Sequence, residues 1–317
     1  MKSLLLLLLC TLAQAAPQPL FQGVTLEKEV RTVPRPLELY WIEADLSAPG
    51  VSLEFTPAPS PGGPMPMPTP STPAPPATTP NATKSPATAS ASPAAKAAGA
   101  SRAEMLALKP TDLIAKLGWQ VILNGDAFAV PGAPKRLPSL GEPIDVNGSA
   151  VHHGRTWSGA ARNPAAAPKY GIFYQLRNGT CGVSYKAVPG AWNAIGGFRI
   201  LLKDGKITAP DATPLHPRSV VAVNNRKRRI WFLLVDGRRQ GQSEGATERE
   251  VAEWLLARGA TDALNLDGGG SSILATNTGP AGRPSVKVIN QPVGLLNIPG
   301  TERPVANCLG IKALPLK

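Results

Sequence analysis

Asn265-Leu266-Asp267-Gly268-Gly269-Gly270-Ser271-Ser272 places one carboxylate, three flexible glycines and two hydroxyls directly after an apolar run. Just upstream, Thr247 opens a helix-like run, and Glu250 three residues on completes a capping-box pattern. Val251, Ala252, Trp254, Leu255 and Leu256 supply the apolar face of that helix, and Gly259 ends it. Ala263-Leu264-Asn265-Leu266 then reads as a short buried strand, which sets Asp267 at a strand end, where scaffolds hold functional side chains. The glycines permit positive φ and close approach to a ligand, and successive amides there can form an anion-binding nest. The same residues also read as a tight turn in which Asp267 and Ser271 satisfy local main chain. The spacing fits neither a Walker phosphate loop, nor a dinucleotide fingerprint, nor a G-x-S-x-G elbow.

Working outward, Thr111 to Leu117 reads as a short capped helix ending at Gly118, and Trp119 to Leu123 as a strand leading into Asn124-Gly125. Leu37 to Phe55 carries two strands around Ala48-Pro49-Gly50. Further strands are expected at Tyr170 to Tyr174, Cys181 to Tyr185, Phe198 to Lys203, Ser219 to Asn224, Ile230 to Val235, Val286 to Ile289 and Ala306 to Leu314. Asp204-Gly205 signals a hairpin, and the cationic run Arg226-Lys227-Arg228-Arg229 sits between two apolar strands as a solvated turn. The sum is an α+β fold, a strand-rich mixed sheet with few helices, in one domain spanning 16–317.

That domain is interrupted from Pro57 to about Arg102 by a Pro/Ala/Ser/Thr-rich insert holding more than a third of the chain's 35 prolines. Such a segment cannot bury enough apolar surface to offset chain entropy and is expected to be extended or disordered. At the start, Lys2, the Leu4 to Leu12 apolar stretch and Ala13-Gln14-Ala15 compose a signal peptide cleaved near Ala15, so the protein is expected in the periplasm or secreted. Of three cysteines, Cys10 leaves with that signal, and export slightly favours a Cys181–Cys308 bridge over two buried thiols. The formal charge of +12 favours an anionic partner, namely a phosphorylated or anionic saccharide, a cell-wall polymer or the envelope surface. Export removes nucleic acid from that set. His152, His153 and His216 offer no zinc spacing, no cofactor is called for, and a divalent cation on oxygen ligands stays open with no residue set to support it.

Taken in order, several segments resemble the phosphodiester glycosidase family across roughly Leu37 to Lys312. They are Asp45-Leu46, Asn124-Gly125 with Phe128, Pro217-Arg218-Ser219, Asp236-Gly237-Arg238, Ser243-x-Gly245-x-Thr247-x-x-Glu250, the Gly-rich octet, and Glu302-Arg303-Pro304-Val305-Ala306-Asn307. The octet followed by Arg303-Pro304-Val305-Ala306-Asn307 is a far more specific pair than a lone Gly-rich loop. Family members are often described as exopolysaccharide-related, so the resemblance implies a fold and a site more firmly than a substrate. Two departures stand out: the family's Asn-Gly-Gly-Phe-Phe is here Asn124-Gly125-Asp126-Ala127-Phe128, and Ala222 replaces a glycine. The first adds a carboxylate and removes a ring beside the expected pocket.

The implied activity is hydrolysis of a glycosyl phosphodiester, or a related envelope or exopolysaccharide glycan, at the anomeric carbon. Such a site needs cations and N–H groups for the departing phosphate and a carboxylate to steady an oxocarbenium-like centre or activate water. Asp267 is the first choice for that carboxylate. Asp236 and Glu302 are the others, although Asp236-Gly237 also reads as a turn and Glu302 as the ion partner of Arg303. Arg218 and Arg303 suit bidentate phosphate contact, and the Gly268, Gly269 and Gly270 amides could add to it. Asn124 and Asn307 either meet sugar hydroxyls or hold main chain, Gly125 joins them on the substrate side, and Ser271 or Ser272 orients Asp267. The competing reading is a non-catalytic carbohydrate-binding or envelope-assembly protein on the same scaffold.

Overall fold

The computed structural model describes residues 13–14, 16–59, 104–134, 136–158, 170–280 and 282–316. Apart from Ala13–Gln14 and Pro57–Pro59, the expected leader and the Pro-rich insert lie outside the described residues.

A central sheet runs in the order Ala13–Gln14, Val24–Arg31, Leu37–Asp45, Arg229–Val235, Arg218–Asn224, Asp262–Asn265, Arg199–Lys203, Lys206–Ile207, and Gln18–Phe21 adds to Val24–Arg31. A second sheet orders Val286–Val288, Leu274–Asn277, Val121–Asn124, Cys308–Lys312 and Ser52–Phe55; a third orders Arg155–Ser158, Ala150–His152, Ala191–Gly197, Gly171–Leu176 and Cys181–Ser184. Each of these strand ladders is antiparallel. The Arg226-to-Arg229 turn joins Arg218–Asn224 to Arg229–Val235 as expected, and Asp204-Gly205 turns Arg199–Lys203 into Lys206–Ile207.

Strand alternation divides the core into layers. Tyr40, Ile42, Val221, Phe232 and Leu264 point from the central sheet onto Leu123 and Leu309 of the second sheet and Phe173 and Ile195 of the third. The opposite parity, Leu39, Trp41, Val220, Ala222 and Leu233, meets Val251, Ala252 and Leu255 of the helix Glu248–Ala257. That helix starts as the sequence predicts: the Thr247 hydroxyl accepts from the Glu250 amide and the Glu250 carboxylate accepts from the Thr247 amide. The helix Pro110–Leu117 begins with proline, ends on Gly118 at φ 63°, and lays Leu113 and Ile114 against Ile122, Ala275 and Cys308 on the outer face of the second sheet.

Two buried sulfurs correct the disulfide expectation: Cys181 and Cys308 are free thiols in different sheets, and burial pushes the Cys181 thiol up to about 12. Packing under the second sheet is tight at Gly310, where an added Cβ would stand 2.1 Å from Trp119 Cε3. Gly310→Ala is therefore expected to cost about 1–3 kcal/mol, the usual range for overpacking, measurable as a shift of the urea midpoint at unchanged slope.

Candidate active site

Strand ends of the central, second and third sheets converge on one place. Asn124 ends Val121–Asn124, Asp267 follows Asp262–Asn265, Gly196 and Gly197 end Ala191–Gly197, and Asn307 precedes Cys308–Lys312. Asn124, wholly buried, fastens them together. Its Oδ1 accepts from Ser219 Oγ at 2.6 Å and Ile273 N at 3.1 Å, and its Nδ2 donates to the Asp267 carbonyl at 2.7 Å. Of its two sequence readings, holding main chain is the one the geometry fills. Gly125 continues the fastening: its carbonyl accepts the Asp267 amide and its own amide donates to the Asn307 carbonyl, both at 2.9 Å. A Cβ on Gly125 would fall 2.3 Å from Asn307 Oδ1, so only glycine fits.

Asp267 is partly accessible, and its carboxylate accepts from the Ser271 hydroxyl and the Gly268 amide. Burial pushes its pKa up, and those two hydrogen bonds together with the charges of Arg303 and Arg238 oppose the rise. Ser271 bridges the opposite charges, because its oxygen also accepts from Arg303 Nη1 at 3.3 Å. Arg303 is held by Gly294, whose carbonyl accepts from Nε at 3.2 Å and Nη2 at 2.9 Å. On the other flank lies Arg238, exposed, with Nη1 donating to Asn297 Oδ1 at 2.9 Å.

The glycines are explained by these arginines. A Cβ on Gly269 would lie 2.8 Å from Arg238 Nη2, one on Gly270 2.1 Å from Arg303 Nη2, and one on Gly268 2.6 Å from the Pro217 carbonyl. Gly269 also takes φ 61°, the left-handed region that glycine enters without strain. Several of the amides expected to line an anion nest are taken up within the fold. The Gly268 amide serves Asp267, the Gly269 amide donates to the Pro217 carbonyl at 3.0 Å, and Ser271 and Ser272 amides close a short 3-10 turn.

Three sequence candidates are engaged in other contacts. Arg218 points to the helix face of the central sheet, donating from Nε to Ala246 O at 2.9 Å and from Nη2 to Pro214 O at 2.7 Å, and pairing with Glu248. Its neighbour Ser219 faces the Asp267 side. Asp236 accepts from Asn290 Nδ2 at 2.9 Å, the Gln291 amide at 2.9 Å and Arg239 Nη2 at 3.1 Å. Burial raises it to about 6 against those bonds. Through Asn290, which also donates to Ser272 O, it braces the Gly-rich loop from behind. Glu302 is no partner of Arg303: its two oxygens take the Thr111 amide at 2.8 Å and hydroxyl at 2.6 Å, a carboxylate at the start of the Pro110–Leu117 helix.

Two residues outside the sequence candidates belong to the site. Arg238 supplies the second cation; the signal for it was its place in Asp236-Gly237-Arg238, which reads as a turn. Asp126 is 1% exposed, with Oδ2 accepting from the Gly148 amide at 2.6 Å and Oδ1 without a partner. It fits because Gly196 and Gly148 lack side chains: added Cβ atoms would stand 2.4 and 2.8 Å from Oδ2. Burial raises its pKa to about 7, with the negative charges of Asp267 and Glu104 adding to the rise. Asn307 holds this segment by accepting the Asp126 amide at 2.7 Å, and its buried Nδ2 is left unpaired.

The phosphodiester glycosidase family model matches residues 118–312, which takes in Asn124, Asp126, Arg238, Asp267, Ser271, Arg303 and Asn307. The chain belongs to the phosphodiester glycosidase family. Among solved members of this fold, the catalytic domain of zebrafish N-acetylglucosamine-1-phosphodiester α-N-acetylglucosaminidase, auto-inhibited by its pro-peptide, superposes with TM-score 0.53 and 16% identity over 94% of this chain and 85% of that one. A hypothetical protein from Synechocystis gives 0.50 and 12% over 92% and 62%. A Burkholderia pseudomallei protein whose name describes it as exported gives 0.50 and 14% over 90% and 76%. At these identities the likeness is one of fold. No curated protein matches the chain.

Proposed function

We propose that this phosphodiester glycosidase is an exported hydrolase that cleaves a glycosyl phosphodiester at the anomeric carbon, with the envelope or its exopolysaccharide as the source of substrate. The observation that carries this reading is one carboxylate, Asp267, linked through Ser271 to Arg303 and flanked by Arg238. In the reaction the bond from the anomeric carbon to the phosphate oxygen breaks, and its electron pair leaves with the phosphomonoester. A phosphate is a better leaving group than a sugar alkoxide, so little acid assistance is required. Arg303 and Arg238 face the charge that collects on the phosphate. Asp267 steadies the oxocarbenium-like carbon or takes a proton from the water that adds to it.

The expected leader, cleaved near Ala15, supports export, and no described helix is long and apolar enough to cross a membrane. The net charge of +12 suits a phosphorylated saccharide. The test is an assay for paired release of reducing sugar and phosphomonoester from methyl esters of several sugar 1-phosphates, α-N-acetylglucosamine included. Arg303→Gln should raise KM by about 10- to 100-fold, the loss of one charge-assisted contact. If the protein binds these diesters and releases nothing from any of them, the chain is instead a carbohydrate-binding member of the family.

A further inference from the structure

The segment Gly294-Leu295-Leu296-Asn297-Ile298-Pro299-Gly300-Thr301 is a closed loop beside the arginines of the site. The Gly294 amide donates to Thr301 O at 2.9 Å, the Leu295 amide to Thr301 Oγ1 at 3.0 Å, the Ile298 amide to Leu295 O at 2.9 Å, and the Gly300 amide to Pro292 O at 2.7 Å. Its base is polar. Gly294 O accepts from Arg303, and Asn297 Oδ1 accepts from Arg238. Its crown is apolar and bare: Leu296 is 82% exposed, Ile298 51% and Leu295 39%.

Single exposed leucines are ordinary on protein surfaces, but three large aliphatic side chains on one short loop form a patch. The backbone adds a second signal. Leu296 and Asn297 take φ 53° and 57°, the two central positions of a turn closed by the Ile298-to-Leu295 hydrogen bond. Glycine or asparagine adopts that left-handed conformation at least cost, and a leucine there is strained. A strained residue whose side chain packs on nothing within the fold is not there for stability, and strain of this kind gathers where ligands are clamped.

Resting on the phosphodiester reading above, the direction of the substrate follows from its connectivity. A phosphodiester carries its sugar on one oxygen and its second alcohol on another. With the sugar over Asp267 and the phosphate between Arg238 and Arg303, the second alcohol leaves past the loop on which both arginines are hung. We infer that this alcohol is a long aliphatic chain, so that the substrate class is a lipid-linked glycosyl phosphate whose hydrocarbon lies along Leu295, Leu296 and Ile298. Hydrolysis at the anomeric carbon then yields free sugar and a lipid phosphomonoester, with water as the only co-reactant.

The test compares methyl and dodecyl esters of one sugar 1-phosphate, each kept below its micelle concentration, on the full chain and on Leu296→Asn. The dodecyl ester should be favoured in kcat/KM by about tenfold or more, the worth of burying part of one leucine. Leu296→Asn should reduce that preference about tenfold while leaving the melting temperature unchanged or higher, because asparagine relieves the left-handed strain; a loop that merely stabilises the fold would give the opposite sign. Calorimetric titration with dodecyl phosphate and methyl phosphate runs in parallel and needs no turnover. If neither ester is hydrolysed, the hydrolase reading fails, while tighter dodecyl phosphate binding that Leu296→Asn weakens upholds the inference. Equal handling of the two chain lengths overturns it. So does Leu296-dependent adsorption to anionic phospholipid vesicles without any chain-length preference, which would make the crown a membrane foot.

Discussion

Near pH 8, exchanging Asp126 for asparagine should make the protein more stable, and the gain should shrink by about 3 kcal/mol on going to about pH 5. The physical reason is that this carboxyl is enclosed, and only the Gly148 and Ala127 amides favour its charged form, with no cation among the described residues acting on it. The charged groups that face it are Asp267 and Glu104, both acidic, and both make ionisation harder. Its folded pKa is raised from 3.8 to about 7. The native state therefore keeps a proton that the unfolded chain releases, and stability from this group is whole below the unfolded pKa and is lost as pH rises through about 7. Each pK of separation is worth about 1.4 kcal/mol, so the full loss is on the order of 4 kcal/mol once both states are ionised. Asparagine fills the same slot between Gly148 and Gly196 with no charge to bury. Buried acids that do not face it, Asp236 among them, titrate alike in both proteins and cancel in the difference. Urea unfolding of the pair at the two pH values reads the effect; a stability difference that does not change with pH would mean that Asp126 is not held neutral.

What could be read from the sequence follows from how local each signal is. The Glu248–Ala257 helix announces itself through Thr247 and Glu250, residues that bond to each other, and the Arg229–Val235 hairpin through four cations between two apolar runs. Val24–Arg31 was not legible because Glu27 and Glu29 occupy inward positions. Their partners, Arg258 for Glu27 and the Trp41 indole for Glu29, come from elsewhere in the fold. Ala191–Gly197 was missed for a related reason: Gly196 and Gly197 look like strand breakers, yet they are small because Asp126 and Leu264 press against them. At the site, Asp267, Ser271 and Arg303 were found by residue type and do come together. Arg218 was misplaced by one step of strand parity, since Ser219 owns the face toward Asn124 and Arg218 the face toward the helix. A motif gives the residues of a strand end; only the register of Arg218–Asn224 against Asp262–Asn265 says which of them faces Asn124.

Asp267→Asn should lower kcat by about 10^3-fold, the scale on which a positioned charge or base contributes. The same change should leave binding of the phosphomonoester product equal or tighter. Both halves follow from one feature, the Ser271 bridge between a carboxylate and Arg303. With the negative charge gone, the charges of Arg303 and Arg238 are no longer partly cancelled, and an anionic ligand gains from it. The oxocarbenium-like carbon at the same moment loses the group that faces it. A collapse of the pocket would weaken binding and turnover together, so the split separates a chemical role from a structural one. In the parent chain, burial raises the Asp267 pKa, so the carboxylate form is lost, and kcat with it, as pH falls through that raised value. The asparagine variant has no such acidic limb, and its residual rate should be flat there. Turnover within about tenfold of the parent, or an acidic limb that survives the substitution, would move the catalytic carboxylate elsewhere. Asp126, the buried acid whose charge couples to Asp267, would be the first to test.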